Sequence, residues 1–212
     1  MQSKLNSMET VDSRPELRTK RLWLRPFQAS DAQDLERLAN DKEIAANTRS
    51  IDYPYPAGQG IKWIEPQADS WLAGTAAVFA ICHQGMNRPP KAPQVKGQGR
   101  GQPTSGQLMG AIGLEICEAD QLAELGYWIG RDFRGLGYVT EAAEAVVAFG
   151  FEILGLNKIH SQHMARNPKS GRVMEKIGMQ QEGILRRHVR KWGVFEDVVV
   201  YGILNQSQTR ES

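Results

Sequence analysis

The segment of this chain best equipped for chemistry is Arg134-Gly135-Leu136-Gly137-Tyr138-Val139-Thr140. Binding a diphosphate takes several backbone N–H donors converging on one point, room for close approach, and preferably the positive end of a helix dipole behind them. Gly135 and Gly137 give the room, and a helix starting at Tyr138 supplies free first-turn amides. Thr140 adds a hydroxyl and Arg134 a full positive charge. The same string also reads as a glycine-containing strand-to-helix turn without a ligand, so by itself it leaves both possibilities open. It is not a P-loop, which needs Lys-Ser or Lys-Thr after its last glycine where this chain has Tyr138-Val139. Nor is it a dinucleotide fingerprint, which needs a third glycine and an acidic residue roughly 20 positions on. Gly97-Gln98-Gly99 fails as a nucleotide site because no strand enters it and no amphipathic helix leaves it.

Such a turn has to be held by a strand before it and a helix after it, and both are readable. Leu122 to Ile129 has strand character, and from Tyr138 to Leu154 the residues Ala142, Val146, Phe149 and Ile153 form one apolar helical stripe. A further strand is predicted over 157–164. Asn167-Pro168 then opens a helix with an N-cap and a proline at its first position, closed by Gly178. Ile184 to Gly202 reads as a strand hairpin turning near Trp192-Gly193. Upstream, Arg21–Pro26 is a half-buried strand, Ser30-Asp31-Ala32-Gln33 has capping-box spacing, and 41–56 reads as irregular. Gly58 to Leu72 is helical in spacing, with Pro66 as a break or kink. Ala77–Cys82 and Gln107–Cys117 form a hairpin. Between them the stretch 85–106, rich in Gly and Pro, carries Arg88, Lys91, Lys96 and Arg100 with no acid, and is predicted to be a disordered basic insertion. An RNA-binding arm is its alternative reading.

These residues resemble a known family. Tyr127-Trp128-Ile129 followed by Arg134-Gly135-Leu136-Gly137-Tyr138-Val139-Thr140-Glu141-Ala142 is similar to the acetyl-CoA motif of the GNAT N-acetyltransferase superfamily, with Val139 departing from the Gly or Ala of its last position. Asn167-x-x-Ser170 and Glu175-Lys176-Ile177-Gly178-Met179 resemble the Rim-type group that acetylates ribosomal-protein N-termini. So do Arg21-Leu22-x-Leu24-Arg25 and Tyr53-Pro54-Tyr55…Trp63, and the likeness covers about residues 18–205. It implies one mixed α/β domain with a mostly antiparallel sheet of roughly six or seven strands, a central splay, and about four helices. Residues 1–17 and 206–212 are then flexible extensions of an acetyltransferase domain over 18–205.

The resemblance also implies a chemistry. Amine acetylation needs a neutral amine beside the thioester, a donor for the developing oxyanion, and a donor for the departing thiolate. In the family the backbone amides before the turn receive pantetheine and the acetyl carbonyl, which here implies Trp128 and Ile129. Asn167 corresponds to the residue that contacts CoA across the splay, and equally reads as a plain N-cap. Met174 occupies the place where many members carry a proton-donating tyrosine, which makes Ser170 the candidate acid; a solvated first-turn serine is the alternative. Glu115 is the candidate base, ahead of Glu124 and His163, and Asp197 reads as a hairpin residue. No cluster has metal-ligand spacing, and Ser170 has no His-Asp partner nearby, so metal hydrolysis and a covalent serine mechanism are not supported.

The bulk composition agrees. With 212 residues, 41% hydrophobic and 24% charged, the chain has material for one sizeable core. A net charge of +2 does not call for nucleic acid or an anionic membrane. Cys82 and Cys117 are expected as two buried free thiols, as in a reducing compartment. The first twenty residues lack an apolar run and no stretch is long enough to span a bilayer, so a cytoplasmic enzyme is expected. Its partners are acetyl-CoA and an amine acceptor, with a protein α-amine favoured over an amino sugar, polyamine or antibiotic. A homodimer and a non-catalytic, CoA-binding, ribosome-associated module both stay open.

Overall fold

The computed structural model describes residues 14–85 and 106–206. Eight strands form one sheet in the order β1-β2-β3-β4-β5-β6-β8-β7. They are β1 (Leu17–Arg18), β2 (Leu22–Arg25), β3 (Ala76–His83), β4 (Leu108–Cys117), β5 (Leu122–Ile129), β6 (Lys158–Met164), β7 (Gln180–Lys191) and β8 (Val194–Leu204). Every neighbouring pair is antiparallel except β5–β6. The helices are α1 (Ala32–Ala39), α2 (Lys42–Asn47), α3 (Gln59–Ile64), α4 (Gln67–Leu72), α5 (Tyr138–Glu152) and α6 (Pro168–Lys176).

α5 crosses between β5 and β6, as a parallel pair requires. Its buried residues Ala142, Ala143, Val146, Phe149 and Gly150 press it onto the sheet. Gly150 marks the closest approach, since a Cβ there would stand 2.7 Å from Ile159 Cδ1. Phe149 meets Phe79 of β3 edge to face at 5.7 Å, which seats the helix over the fully buried Leu114, Leu125 and Ile159.

Four expectations shift. The sheet gains an eighth strand because Leu17–Arg18 pairs with Trp23 and Leu24. The stretch taken as irregular contains α2: Asp41 caps it by accepting from Glu43 N at 2.7 Å, and Ile44 and Ala45 are buried, so a local cap and two contacts outweigh its polar composition. The cap before α1 lies two residues earlier than Ser30, since Gln28 and Asp31 form the reciprocal box and Asp31 also holds the buried Arg25 at 2.7 and 2.8 Å. Only one of the two thiols is buried: Cys82 lies in the core, while Cys117 is exposed where β4 ends, with Sγ 3.4 Å from Asp120. Pro66 divides the 58–72 run into α3 and α4. The predicted insertion falls mostly on residues 86–105, outside the described residues, as do 1–13 and 207–212.

Candidate functional site

The parallel pairing of β5 with β6 covers only Leu122–Glu124 against Lys158–His160. Beyond it each strand stays with its other neighbour, β5 with β4 as far as Ile129 and β6 with β8 as far as Met164. A wedge therefore opens in the middle of the sheet. Ser161 Oγ donates to Leu125 O at 2.7 Å just past the last pair, so Leu125 faces the wedge, while Gly130 N bonds Met109 O on the β4 side. Strand alternation then turns the backbone groups of Tyr127 and Ile129 into the wedge and those of Gly126 and Trp128 toward β4. Of the two amides expected to receive the ligand, that of Ile129 faces the wedge. Trp128 does not, and instead lends its half-buried side chain to the cleft wall. Tyr127 takes its place, an assignment that the period of two would have given from one fixed reference bond.

Below the wedge the chain makes a short 3-10 turn over Arg131–Phe133 and enters α5 through Gly135 (φ 76°) and Gly137 (φ 79°). Both glycines adopt left-handed backbone, which a β-carbon disfavours. A Cβ at Gly135 would meet nothing within 4 Å, and one at Gly137 only the Arg21 guanidinium at 3.5 Å. The need for glycine here is thus conformational rather than steric crowding by the protein itself. The first backbone bond of α5 runs from Glu141 N to Gly137 O, so the amides of Tyr138, Val139 and Thr140 precede it and form the donor end of the helix. That arrangement fits a diphosphate.

Arg21, outside any motif for this site, organises the turn. Its Nη1 donates to Leu136 O at 2.9 Å, which turns the opposite edge of that peptide, the Gly137 N–H, away from Arg21. Its Nε pairs with Glu141 Oε2 at 2.6 Å, and its guanidinium stacks 4.5 Å from the Tyr138 ring centre. Burial pushes the Glu141 carboxyl up, but the Thr19 hydroxyl and the Arg21 side chain and amide outweigh burial and hold it below the ordinary value of 4.5. Arg134 is partly buried and does not stand free beside the turn. It bonds Asp41 Oδ2 at 3.0 Å, Glu43 Oε2 at 2.7 Å and Ile129 O at 3.3 Å, tying the turn to the start of α2.

Across the wedge, Asn167 occupies the N-cap of α6 without making a side-chain capping bond, so its carboxamide is left for other contacts in the cleft it lines. Ser170 lies in the first turn of the same helix, and the Tyr127 hydroxyl reaches it from β5, 2.9 Å from Oγ and 3.0 Å from the carbonyl. Burial, offset in part by the serine, pushes the Tyr127 phenol up to about 12. Met174 is buried one turn further on.

Turn, wedge and serine open into one cleft of about 1080 Å³, also lined by α2, the stretch 47–56, Val189 and Val198. Glu115 and Glu124 face each other across β4 and β5 and line it too, with Gln162 Nε2 bonded to Glu124 at 2.7 Å. At ~3.4 Å per residue they stand roughly 10 Å along the strand from Tyr127. His163 is buried, its Nδ1 2.9 Å from Met164 O, with its ring against Gly171. Asp197 accepts from Arg187 N at 2.7 Å across the irregular stretch of β7, a hairpin role. Among the described residues no group of His, Cys, Asp and Glu has metal-binding geometry, and no helix is long and apolar enough to cross a membrane.

Comparison with known proteins places this geometry in a family. The acetyltransferase (GNAT) domain matches residues 21–180. The chain is 42% identical over 209 residues to the Probable N-acetyltransferase YjcK of Bacillus subtilis, covering 89% of this chain and 97% of that protein. Among solved structures it is similar to RimL, a ribosomal-protein α-N-acetyltransferase in complex with coenzyme A, with TM-score 0.75, 16% identity and coverage of 92% and 100%. It is also similar in fold to a spermidine N-acetyltransferase from Vibrio cholerae in complex with CoA and spermine, with TM-score 0.68, 21% identity and coverage of 88% and 97%. The wedge, the left-handed glycine turn and the domain match together show that the chain belongs to the GNAT family and is an acetyl-CoA-dependent N-acetyltransferase.

Proposed function

We propose that the acceptor is the α-amine of a protein N-terminus. The observation that carries this reading is the acceptor wall. Residues 41–56 are held from three sides, by Arg134 at Asp41 and Glu43, by Arg166 at Ala46 O, and by the buried Lys191, whose Nζ donates to Ile51 O at 2.9 Å. A wall assembled from α2, a loop and the β7–β8 hairpin suits an extended chain end entering from the surface. Similarity to a ribosomal-protein-serine acetyltransferase of Escherichia coli, 26% over 103 residues (48% of this chain and 56% of that protein), supports the same class. The opposed carboxylates Glu115 and Glu124 favour a second reading, a small polyamine.

In the proposed site the amides of Tyr138, Val139 and Thr140, with Gly135, Leu136 and Gly137 shaping the turn, hold the diphosphate of the donor, and Arg134, paired with Asp41 and Glu43, braces the turn against α2. The wedge-facing amides of Tyr127 and Ile129 receive the pantetheine arm and acetyl carbonyl. Asn167 contacts the arm from the opposite side, Trp128 walls the cleft, Ser170 donates a hydrogen bond to the departing sulfur, and Glu115 draws the amine proton through water.

The deciding experiment incubates the protein with acetyl-CoA and a mixture of free-α-amine peptides and small amines, spermidine included, and identifies products by mass spectrometry. Acetylated peptide α-amines are expected. Acetylation of spermidine alone would replace this reading with the second.

A further inference from the structure

Tyr127 and Ser170 form a contact whose proton arithmetic is incomplete. The tyrosine hydroxyl has one hydrogen and two acceptors in reach, Ser170 O at 3.0 Å and Ser170 Oγ at 2.9 Å. If that hydrogen goes to the carbonyl, the phenolic oxygen accepts the serine's hydrogen, which is then held in this contact. If it goes to Oγ, the serine's own hydrogen is released toward whatever lies in the cleft. Within α6 the Met174 amide, four residues on, is the helical donor to Ser170 O, so that carbonyl already has a partner and Oγ is the acceptor left to Tyr127.

We propose that Tyr127 is the positioning residue of Ser170, donating to Oγ so that the serine hydrogen is directed at the departing sulfur. The inference rests on Ser170 facing the thioester, as proposed above. A developing thiolate favours the second arrangement, since an anion attracts the nearest hydrogen more strongly than a neutral phenol does, and donation by Tyr127 polarises the serine in the same direction. No proton leaves the tyrosine: with its phenol pushed up to about 12 it stays protonated throughout the neutral range and acts by hydrogen bonding alone. The ring is half-buried beneath α6, so the contact is in place before any ligand arrives.

The test is a double-mutant cycle on Tyr127→Phe, Ser170→Ala and the pair, read as single-turnover thiol release with an accepted amine, and as the melting shift on adding CoA. Tyr127→Phe removes only the hydroxyl. It is expected to slow the single turnover about 10-fold, with KM for acetyl-CoA and the CoA melting shift unchanged. The serine variant should be slower still, and the double variant no slower than Ser170→Ala. A double variant slowed by the product of the two single effects would overturn the proposal, because the tyrosine would then act without the serine. Full activity in Tyr127→Phe beside a slow Ser170→Ala would overturn it while sparing the serine. Full activity in Ser170→Ala would remove both.

Discussion

Gly137 and Ser170 are expected to fail in different ways when altered. A valine at Gly137 must adopt φ near 79°, which a β-branched residue strongly resists, and its Cβ would stand 3.5 Å from the Arg21 guanidinium that braces the turn. Ser170→Ala leaves that turn untouched. At about 100 times its dissociation constant a ligand stabilises the native state by roughly 2.7 kcal/mol, or about 5–10 °C for a domain of this size. CoA should produce that shift in wild type and in Ser170→Ala but not in Gly137→Val, as a thermal scan will show. Turnover should fall in both, by about 10²-fold or more in Ser170→Ala if it supplies general-acid help. An undiminished shift in Gly137→Val would separate the turn from the donor site. The glycine turn and the serine could be read from the sequence because local spacing defines them. Arg21 and Tyr127 could not be assigned roles, since their partners Leu136 and Ser170 lie 115 and 43 residues away and only the sheet brings them together.

Among the elements, α5 depends on its N-terminal anchor. Because the Glu141 carboxyl is held below its ordinary value, its stabilising effect is complete above about pH 4.5 and is lost as pH falls through the lower folded value. Melting temperature should therefore drop on acidification below about 4.5, and Glu141→Gln, already weakened at neutral pH, should show a shallower drop over that range. α2 offers a second case. Asp41→Ala removes both the helix cap and a partner of Arg134, and should cost about 1–2 kcal/mol, a melting loss of roughly 2–8 °C. Equal melting temperatures would show that α2 is held by its other contacts. α2 escaped the sequence reading because six residues bearing only two buried apolar side chains present no periodic stripe, whereas the fifteen residues of α5 do.

At the scale of the whole molecule, the β3–β4 hairpin is already closed before residue 86: His83 N bonds Gln107 O at 3.2 Å and Gly106 N bonds His83 O at 2.8 Å. Removing residues 86–105 should leave folding and the CoA shift intact. Loss of folded protein on excision would make that stretch part of the domain. If the full chain binds RNA with a steep salt dependence that the shortened chain lacks, the basic stretch is an RNA arm.

The wedge between β5 and β6 has a consequence for solvent isotope exchange. Tyr127 and Ile129 sit in a central strand of an eight-stranded sheet, yet their amides face a gap where a neighbouring strand would be. In deuterated water they should exchange orders of magnitude faster than Gly126 and Trp128, whose amides are turned to β4, so one strand would show alternating fast and slow positions. Saturating CoA should slow the fast pair and leave the slow pair as it was. Residue-resolved exchange would thus reveal donor binding as the disappearance of an alternation inside a single strand.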